Sequence, residues 1–461
     1  MNYYLISHIP FTKLLMHRQP EIHVGIMSSE VISFELHGKY LIAATDDQIE
    51  GICHIHYRDG QSCMLLVGDQ SRNLTLPVVF KPQNKQNSCE LKGVTIGINF
   101  HWERKENQSF AGQLKFMEEN NSLTAINIIP LEEYLRSVIS SEMSATSSPE
   151  LLKAHALISR SWLLAQIERR KRNKGEKNSP VALQSDTEHI RWYGREDHEN
   201  YDVCADDHCQ RYQGTTRAST RAVDDTINAT FGQVLVYEGE ICDARYSKCC
   251  GGITETFENV WEPTAYPYLA KVIDNDREPL NYVTKLDSEE SALRWIKGTP
   301  EAFCNTTDHE ILKQALNNYD QETTNFYRWQ VSIGQEELRV LLKKKVNLDV
   351  GNVIDLIPVE RGESGRLIKL LIKGTERSIV IGKELEIRKA LSTSHLYSSA
   401  FVAERRDVEQ GVPQSFVLYG AGWGHGVGLC QIGAAVMAEK KFTYSQILQH
   451  YFKGAVLEER Y

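Results

Sequence analysis

The sequence has few of the features that mark non-globular or membrane-embedded chains. It contains no run of about 20 apolar residues that could cross a bilayer, no internal repeat and no low-complexity tract. Its net charge of −9 argues against a nucleic-acid backbone as the main ligand. With 30 glycines and 13 prolines in 461 residues, of which 41% are hydrophobic, a collagen, a coiled coil and a disordered chain are excluded. A soluble enzyme or a large binding domain remains.

The first residues do not form a recognisable secretory signal. Such a signal needs a basic start followed by an apolar run of about 7–15 residues. Residues 1–10 offer only a short apolar patch, which Ser7, His8 and Pro10 interrupt. Taken alone, this pattern indicates a cytoplasmic chain, although a misplaced start or a missing upstream segment would also explain it.

Cysteine is too sparse for a disulfide scaffold, with 10 residues in the whole chain. Four of them form two clusters, Cys204 with Cys209 and the adjacent pair Cys249 and Cys250. The others are scattered, and we expect them to be buried apolar thiols. These scattered cysteines are Cys53, Cys63, Cys89, Cys242, Cys304 and Cys430.

The length suits two or three domains, or one core that carries a large insertion. Short alternating runs separated by polar turns predict a β-rich N-terminal region, and the chain as a whole predicts an α+β fold. Farther on, charged helices and short strands with few glycines indicate an inserted accessory segment. The predicted units are an extension at 1–20, a β-rich part at 21–128, a core at 129–275, the accessory segment at 276–384 and a C-terminal part at 385–461 that completes the core.

A helix is predicted to begin at Ser148, Pro149 and Glu150. Ser148 can cap it, proline fits the first turn, and a glutamate suits the positive end of the helix dipole. Apolar residues then recur at helical spacing and should face a core. They are Leu151, Ala154, Ile158, Trp162 and Ala165.

The first candidate for chemistry is Glu142, which ends an apolar, helix-like segment at 129–143. It stands beside Met143 and precedes a small polar loop at 144–148. A partly shielded carboxylate there could have a raised pKa and serve as a general acid. An ordinary exposed loop glutamate would give the same local pattern.

The second candidate is a group of two thiols and two imidazoles within twelve residues, namely His198, Cys204, His208 and Cys209. This set is sufficient for a four-coordinate zinc site, but the spacing is not that of a zinc finger. The neighbours His208 and Cys209 can both bind one ion only from an irregular loop. A Cys204–Cys209 disulfide, or no bond at all, stays open.

The third candidate consists of two glycine-rich stretches, at 246–255 and 420–433. Such glycine density allows close backbone approach or left-handed turns. The second stretch has neither the Lys-Ser/Thr of a phosphate-binding loop nor the dinucleotide fingerprint, so both of those functions are rejected. A structural turn around His425 and a thiol nucleophile paired with a histidine remain as alternatives.

Taken together and in this order, these patches resemble the stage II sporulation protein D family, whose relatives include proteins called amidase enhancers. The resemblance extends from about Glu21 to the C-terminus, apart from the segment near 276–384. The sequence departs from the family pattern at His155, where glutamine is usual, and at Lys248-Cys249, where small residues are expected. The matching stretches are 130–135, Ser141-Glu142-Met143, 150–162, 201–210, Cys250-Gly251-Gly252 with 253–255, 259–261, 267–269 and 422–431.

The resemblance implies a lytic transglycosylase that cleaves peptidoglycan glycan strands, particularly those without stem peptides. It places the catalytic acid on Glu142 and the ligands of a structural zinc ion on His198, Cys204, His208 and Cys209. Glycosidases that use water normally need two carboxylates, whereas here the C6 hydroxyl of the sugar attacks C1 and gives a 1,6-anhydromuramoyl end. If water were the nucleophile instead, Glu255 would be a candidate second carboxylate. Residues expected to line the sugar groove are Tyr246, Ser247, Thr254, Trp423 and His425.

Two other functions remain open at this stage. The chain could be a non-catalytic glycan-binding protein that stimulates a peptidoglycan amidase, or a cytoplasmic zinc-dependent hydrolase, which would need an open metal position. The expected partners are glycan strands and an amidase, with no nucleic acid. The expected substrate implies that the protein acts in the cell envelope. This expectation conflicts with the first residues, which do not form a recognisable secretory signal.

Overall fold

The structure is a computed structural model that describes residues 18–98, 103–172, 182–193, 198–217, 219–316 and 323–461. It confirms the α+β fold and the β-rich N-terminal region. Among the described residues, no helix has both the length and the apolar character needed to cross a membrane. The first strands are β1 (Glu21–Ser29), β2 (Val31–Ile42), β3 (Gln48–Asp59), β4 (Ser62–Val67), β5 (Gln70–Thr75), β6 (Val78–Pro82), β7 (Ser88–Ile96), β8 (Arg104–Ala111), β9 (Gln113–Glu119) and β10 (Ser122–Pro130).

These strands pair antiparallel in one large sheet, with β1, β10, β9, β6, β2, β3, β4 and β5 in that spatial order. Alternating residues point into the core, as the sequence pattern predicts. Phe34, Phe80 and Phe116 meet there, with ring centroids 5.1–5.7 Å apart. The short strand β13 (Val203–Cys204) joins the edge of this sheet in parallel to β1. The sheet therefore holds one end of the loop that carries the predicted zinc ligands.

Helices pack next to the sheet, and they form the part of the core that follows the sheet in the sequence. The helix predicted from 148 is present and begins at Pro149, and its five predicted core residues are all buried. Ser148 does not cap it, because the Ser148 Oγ atom is buried with no hydrogen-bond partner among the described residues. The helices are α1 (Leu131–Glu142), α2 (Pro149–Arg172), α3 (Arg221–Ala229), α4 (Phe257–Val260), α5 (Glu289–Lys297), α6 (His309–Ala315), α7 (Gln335–Val346), α8 (Glu384–Ala390), α9 (Gln431–Glu439) and α10 (Tyr444–Tyr451).

A second apolar core lies in the C-terminal half and extends from Trp329 to Leu418. It is built from α7, α8 and two small sheets, and it includes residues on both sides of 384, the predicted end of the accessory segment. Three short strands elsewhere form a separate sheet next to α2. The remaining strands are β11 (Ala182–Gln184), β12 (Glu188–Arg191), β14 (Gln233–Tyr237), β15 (Glu240–Ile241), β16 (Tyr246–Ser247), β17 (Arg328–Gly334), β18 (Val353–Arg361), β19 (Leu367–Gly374), β20 (Ser378–Gly382), β21 (Phe401–Glu409), β22 (Val412–Ala421), β23 (Leu429–Cys430) and β24 (Val456–Glu459).

A buried ion pair joins α1 to α2. The Arg160 guanidinium donates from Nε and Nη2 to the two carboxylate oxygens of Glu132, at 2.9 and 2.7 Å. The hydroxyl of Tyr461 donates to the same carboxylate at 2.5 Å. Both charged side chains are almost completely buried. The first helix, which ends at Glu142, is thus fixed in position at its beginning.

We predict that Glu132→Gln destabilises the protein by about 3 kcal/mol, because it leaves the buried Arg160 charge without its counter-ion. The matched control is Glu133→Gln at the next position, where a half-exposed carboxylate pairs with Arg136. Exposed pairs contribute about 1 kcal/mol or less. Urea unfolding of both variants measures the difference, and equal destabilisation would contradict the structural role of the buried pair.

Candidate functional site

Glu142 is the last residue of α1 and is only partly exposed. One carboxylate oxygen, Oε1, accepts a hydrogen bond from the backbone N–H of Arg211 at 2.7 Å. Burial raises the pKa of Glu142, the Arg211 guanidinium opposes this shift, and the Asp207 carboxylate adds to it. A carboxylate at the negative end of a helix dipole is also disfavoured. The group is therefore suited to hold a proton at higher pH than an exposed glutamate.

Glu142 lies on a cavity of about 680 Å³ that is built from widely separated parts of the chain. The loop around the predicted zinc ligands contributes Asp207 and Arg211, and both glycine-rich stretches contribute further lining. No cysteine is among the described residues that line this cavity, which leaves a thiol nucleophile without support. The predicted groove residues that do line it are Tyr246, Ser247, Trp423 and His425.

The two glycine stretches, which we call the first (246–255) and second (420–433) glycine loops, interlock at this cavity. Strand β16 pairs in parallel with β23, so that Tyr246 lies opposite Leu429. Farther along, Cys249 and Trp423 exchange two backbone hydrogen bonds of 3.0 and 2.7 Å. The predicted sugar-facing residues are therefore held by backbone contacts between loops that are distant in sequence.

Glycine is required where the loops cross. Gly251 and Gly422 adopt φ values of +80° and +76°, which are unfavourable for other residues. A Cβ on Gly422 would lie 2.7 Å from the carbonyl oxygen of Cys249, and one on Gly251 would lie 2.9 Å from the Gly422 nitrogen. The crossing thus depends on the absence of side chains from both strands of backbone.

The carbonyl groups of these loops accept hydrogen bonds from the accessory segment. The buried Arg366 side chain donates to Cys250 O at 3.1 Å and to Gly424 O at 3.2 and 3.3 Å, so it contacts both glycine loops. Arg328 donates to Gly251 O at 3.1 Å, and Trp329 donates to Gly422 O at 2.9 Å. Sequence reasoning missed these donors, because nothing in their local pattern distinguishes them from ordinary strand and turn residues.

The accessory segment also forms one wall of the cavity. Thr323, Glu337 and residues 331–333 line it, together with Arg388 and residues 391–397 just beyond the segment. The Tyr397 ring packs against the Trp423 ring with centroids 4.4 Å apart. The sequence did not predict a role for this segment, and the structure shows that its residues form part of the cavity lining.

Two residues proposed from the sequence lie elsewhere. Thr254 does not line the cavity, because it is 1% exposed and its hydroxyl accepts a hydrogen bond from Val272 N at 2.7 Å. Glu255 is completely buried and accepts from the Asn259 side chain at 2.8 Å and from the Ser364 hydroxyl at 2.6 Å. We therefore leave Thr254 out of the sugar-binding set and Glu255 out of the catalytic candidates.

Two other carboxylates, Glu337 and Asp207, line the cavity with Glu142, and sequence reasoning singled out neither. Asp207 is the one that pairs with Arg211, whose backbone N–H contacts Glu142. Its Oδ1 atom accepts from the Arg211 guanidinium at 2.6 Å. Its Oδ2 atom and the Ser247 Oγ atom are buried and make no hydrogen bond among the described residues. Two polar atoms at the cavity wall thus lack a hydrogen-bond partner within the described part of the protein.

His425 is held as a neutral imidazole. Burial lowers the pKa of His425 well below its ordinary value, and the nearby guanidinium of Arg245 lowers it further. Its Nδ1 atom accepts a hydrogen bond from Val427 N at 3.1 Å, and its ring packs against Trp261 with centroids 4.7 Å apart. This histidine can exchange hydrogen bonds with a ligand but is a poor source of protons.

Next to the cavity, the four predicted metal ligands converge. The ligand atoms of His198, Cys204, His208 and Cys209 all lie within 4.8 Å of one another. The Cys209 Sγ atom is 3.4 Å from both His198 Nε2 and His208 Nδ1, and Cys204 Sγ is 3.9 Å from the latter. Zinc bond lengths of about 2.0–2.3 Å in a tetrahedron place neighbouring ligands roughly 3.5 Å apart. The donor set and its spacing fit one zinc ion.

Comparison with known proteins gives two family matches that divide the chain. The model described as Stage II sporulation protein matches residues 119–237, which include Glu142 and the four candidate metal ligands. A model described as Domain of unknown function (DUF8618) matches residues 255–428, which include the accessory segment. Residues from both matched regions therefore line the cavity that contains Glu142.

Individual relatives have low sequence identity to this chain, and some of the alignments cover about three quarters of both proteins. The chain is 24% identical over 336 residues to Stage II sporulation protein D of Bacillus subtilis, covering 73% of this chain and 76% of the relative. An uncharacterized protein of Brachyspira hyodysenteriae is 24% identical over 345 residues, with coverage of 75% and 71%. An Amidase enhancer of Bacillus subtilis is also 24% identical, over 50% of this chain and 32% of that protein.

The loop crossing predicts that Gly422→Ala is strongly destabilising. Its control is Gly411→Ala, in the β21–β22 hairpin turn, where φ is +83° but nothing lies within 4 Å of the added Cβ. The control should lose about 1–2 kcal/mol from backbone strain, and the loop variant roughly 2 kcal/mol more from the clash. Urea unfolding measures both. Equal losses would mean that the close backbone approach contributes nothing.

Proposed function

We propose, from the premise that this chain belongs to the stage II sporulation protein D family, that it is a lytic transglycosylase of peptidoglycan. The family membership supports a function in peptidoglycan metabolism. The observation that carries the finer proposal is a single glutamate of raised pKa, Glu142, at the wall of a cavity large enough for sugar units. The bond cleaved would be the MurNAc–GlcNAc linkage within a glycan strand.

In this mechanism Glu142 acts twice. Protonated Glu142 first donates its proton to the leaving glycosidic oxygen, which breaks the C1–O bond. The resulting carboxylate then accepts the proton of the muramoyl C6 hydroxyl as that oxygen bonds to C1, giving the 1,6-anhydro product and restoring the acid. A positioned acid or base contributes about 10²–10⁴-fold to rate, and the nucleophile, being part of the substrate, needs no separate binding.

The protein's part is to hold the proton and position the sugar. Burial raises the pKa of Glu142 and so favours its protonated form, and the Arg211 N–H stabilises the carboxylate once the proton has left. The aromatic faces of Tyr246 and Trp423 suit sugar rings, and the unpaired Ser247 hydroxyl suits a sugar hydroxyl. Burial lowers the pKa of Lys248 on the same cavity to about 7. In its protonated form Lys248 would favour strands without stem peptides, since these carry a free lactyl carboxylate.

We also propose that His198, Cys204, His208 and Cys209 hold a structural zinc ion. Hydrogen bonds lower the pKa of the Cys204 thiol, first from Cys209 and then from the two histidines, which favours the thiolate that zinc binds. Four protein ligands leave no open position for a reacting water, which weighs against a zinc-dependent hydrolase. The ion would fix the loop that presents Arg211 N to Glu142.

A second candidate function is a non-catalytic glycan-binding enhancer of an amidase, which the match to an Amidase enhancer supports. The same cavity would then bind strands without cleaving them, and the partner would be a separate peptidoglycan amidase. Either function requires contact with a polymer outside the cytoplasmic membrane, so we propose the cell envelope as the site of action.

We predict that Glu142→Gln abolishes cleavage of purified glycan strands, with a loss of at least about 10²-fold. Mass spectrometry of the products from strands with and without stem peptides, using both proteins, makes the measurement. Anhydromuramoyl ends formed by the wild type alone would support the proposed reaction. If no strand is cleaved but an amidase is stimulated equally by both proteins, the enhancer function replaces it.

Asp207→Asn is the matched control at the same cavity. It should leave the nature of the product unchanged, whereas reducing ends that depend on Asp207 would mean that water is the nucleophile and that two carboxylates act. The pH profile gives a further check. Because the acid must be protonated in the free enzyme, kcat/KM should fall as pH rises through a Glu142 pKa that lies above 4.5.

Removal of a zinc ligand should lower both metal content and stability. We predict that Cys209→Ser binds one zinc ion fewer per chain than the wild type and unfolds at a lower temperature, since a structural ion contributes folding energy. Cys53→Ser, which changes a buried thiol in the N-terminal sheet, is the control. Elemental analysis and thermal unfolding test this, and unchanged zinc in Cys209→Ser would refute the assignment.

A further inference from the structure

A second group of potential metal ligands lies behind the glycine loops, apart from the site described above. Cys250 comes from the first glycine loop and Cys430 from the second. Asp274 and Cys304 come from the chain that follows the first loop. All four residues are buried, with at most 2% exposure. From the sequence, Cys304 and Cys430 were expected to be unrelated apolar thiols, and Cys250 was one member of the adjacent pair Cys249 and Cys250.

The four ligand atoms are close enough to share one ion. All lie within 4.8 Å of one another, and the Sγ atoms of Cys250 and Cys304 are 3.7 Å apart. Two zinc–sulfur bonds of about 2.3 Å at a tetrahedral angle place the sulfurs roughly 3.8 Å apart. The other ligand atoms, up to 4.8 Å apart, would have to move closer by as much as about 1 Å when an ion binds.

The ligand atoms are also oriented by surrounding hydrogen bonds. The hydroxyl of Tyr451 donates to Asp274 Oδ1 at 2.5 Å, and the backbone N–H of Cys304 donates to Oδ2 at 2.8 Å. The backbone N–H of Cys250 donates to the Cys430 sulfur at 3.2 Å. Outer contacts of this kind typically hold metal-ligating carboxylates and thiolates in position. A carboxylate buried among thiols is otherwise an unfavourable arrangement, because burial penalises its charge.

From this convergence we infer that Cys250, Asp274, Cys304 and Cys430 bind a second, structural thiophilic metal ion, with Zn²⁺ as the expected occupant. Thiolates select zinc over magnesium or calcium, and a fourth ligand from carboxylate completes a tetrahedron. Ion binding releases the thiol protons to solvent and leaves a closed site with no open position. No redox step is involved.

Such an ion would join the two glycine loops to the first part of the accessory segment, which contains Cys304, and to Asp274 just before it. Lys248, two residues before Cys250, and Gln431, next to Cys430, both line the cavity with Glu142. The ion would therefore hold the inner side of the groove, while Arg366 holds the same loops through their carbonyl groups. Its role would be to keep the groove in one shape, separately from the ion proposed beside Asp207.

The test is the zinc content of full-length protein purified with a reductant, measured by elemental analysis and native mass spectrometry. We expect two ions in the wild type, one in Cys304→Ser and one in Cys209→Ser, which removes only the first site. Cys63→Ser, a buried thiol in the N-terminal sheet, is the matched control and should retain both. The ion that remains in Cys304→Ser reports that this variant is folded.

The Cys209→Ser protein keeps the proposal testable if Cys304→Ser fails to fold. Loaded with Co²⁺, Cys209→Ser should show the charge-transfer absorption of a tetrahedral thiolate site, since its remaining ion lies at the second cluster. A wild type with a single ion that Cys209→Ser loses would overturn the inference. So would an intact mass two daltons low with Cys250 and Cys304 protected from alkylation, because these residues would then form a disulfide.

Discussion

The crossing of the two glycine loops is the constraint on which the site depends. At Gly251 and Gly422 two segments of backbone approach so closely that neither position has room for a Cβ atom. Several carbonyl groups at the crossing accept hydrogen bonds from Arg366, Arg328 and Trp329. Unpaired buried carbonyls would be costly, so the loops and the accessory segment stabilise one another. The cavity wall opposite Glu142 is a product of this arrangement.

Glu142 is positioned by contacts other than the crossing of the glycine loops. The buried pair of Glu132 and Arg160 fixes the beginning of α1, and the helix then delivers a carboxylate at its negative end. Burial favours the protonated acid, while the Arg211 N–H favours the carboxylate. In the proposed mechanism this carboxyl group must give a proton and then accept one, and each of its two forms is favoured by one of these influences.

Local patterns in the sequence predicted the elements but not the contacts between them. Alternation predicted the N-terminal strands, and the Pro149 start predicted α2, because both signals lie within a few residues. The Ser148 cap was wrong, since the Ser148 side chain is buried away from the helix N–H groups. The close approach of Glu142 to Asp207, and the gathering of Cys250, Cys304 and Cys430, depend on long-range packing. The wall formed by the accessory segment, and the displacement of Thr254 from the cavity, were equally beyond local reasoning.

The separation of the interlocked loops has a consequence for how the protein matures. The Cys250 N–H and the Cys430 sulfur that it contacts are 180 positions apart in the chain. During synthesis the first loop emerges long before its partner. The Cys249 carbonyl, which accepts from Trp423 N, must stay hydrated until residues 420–433 have been made. The N-terminal sheet can fold on the ribosome, but the groove cannot. The cavity around Glu142 can therefore form only after the second glycine loop has been made.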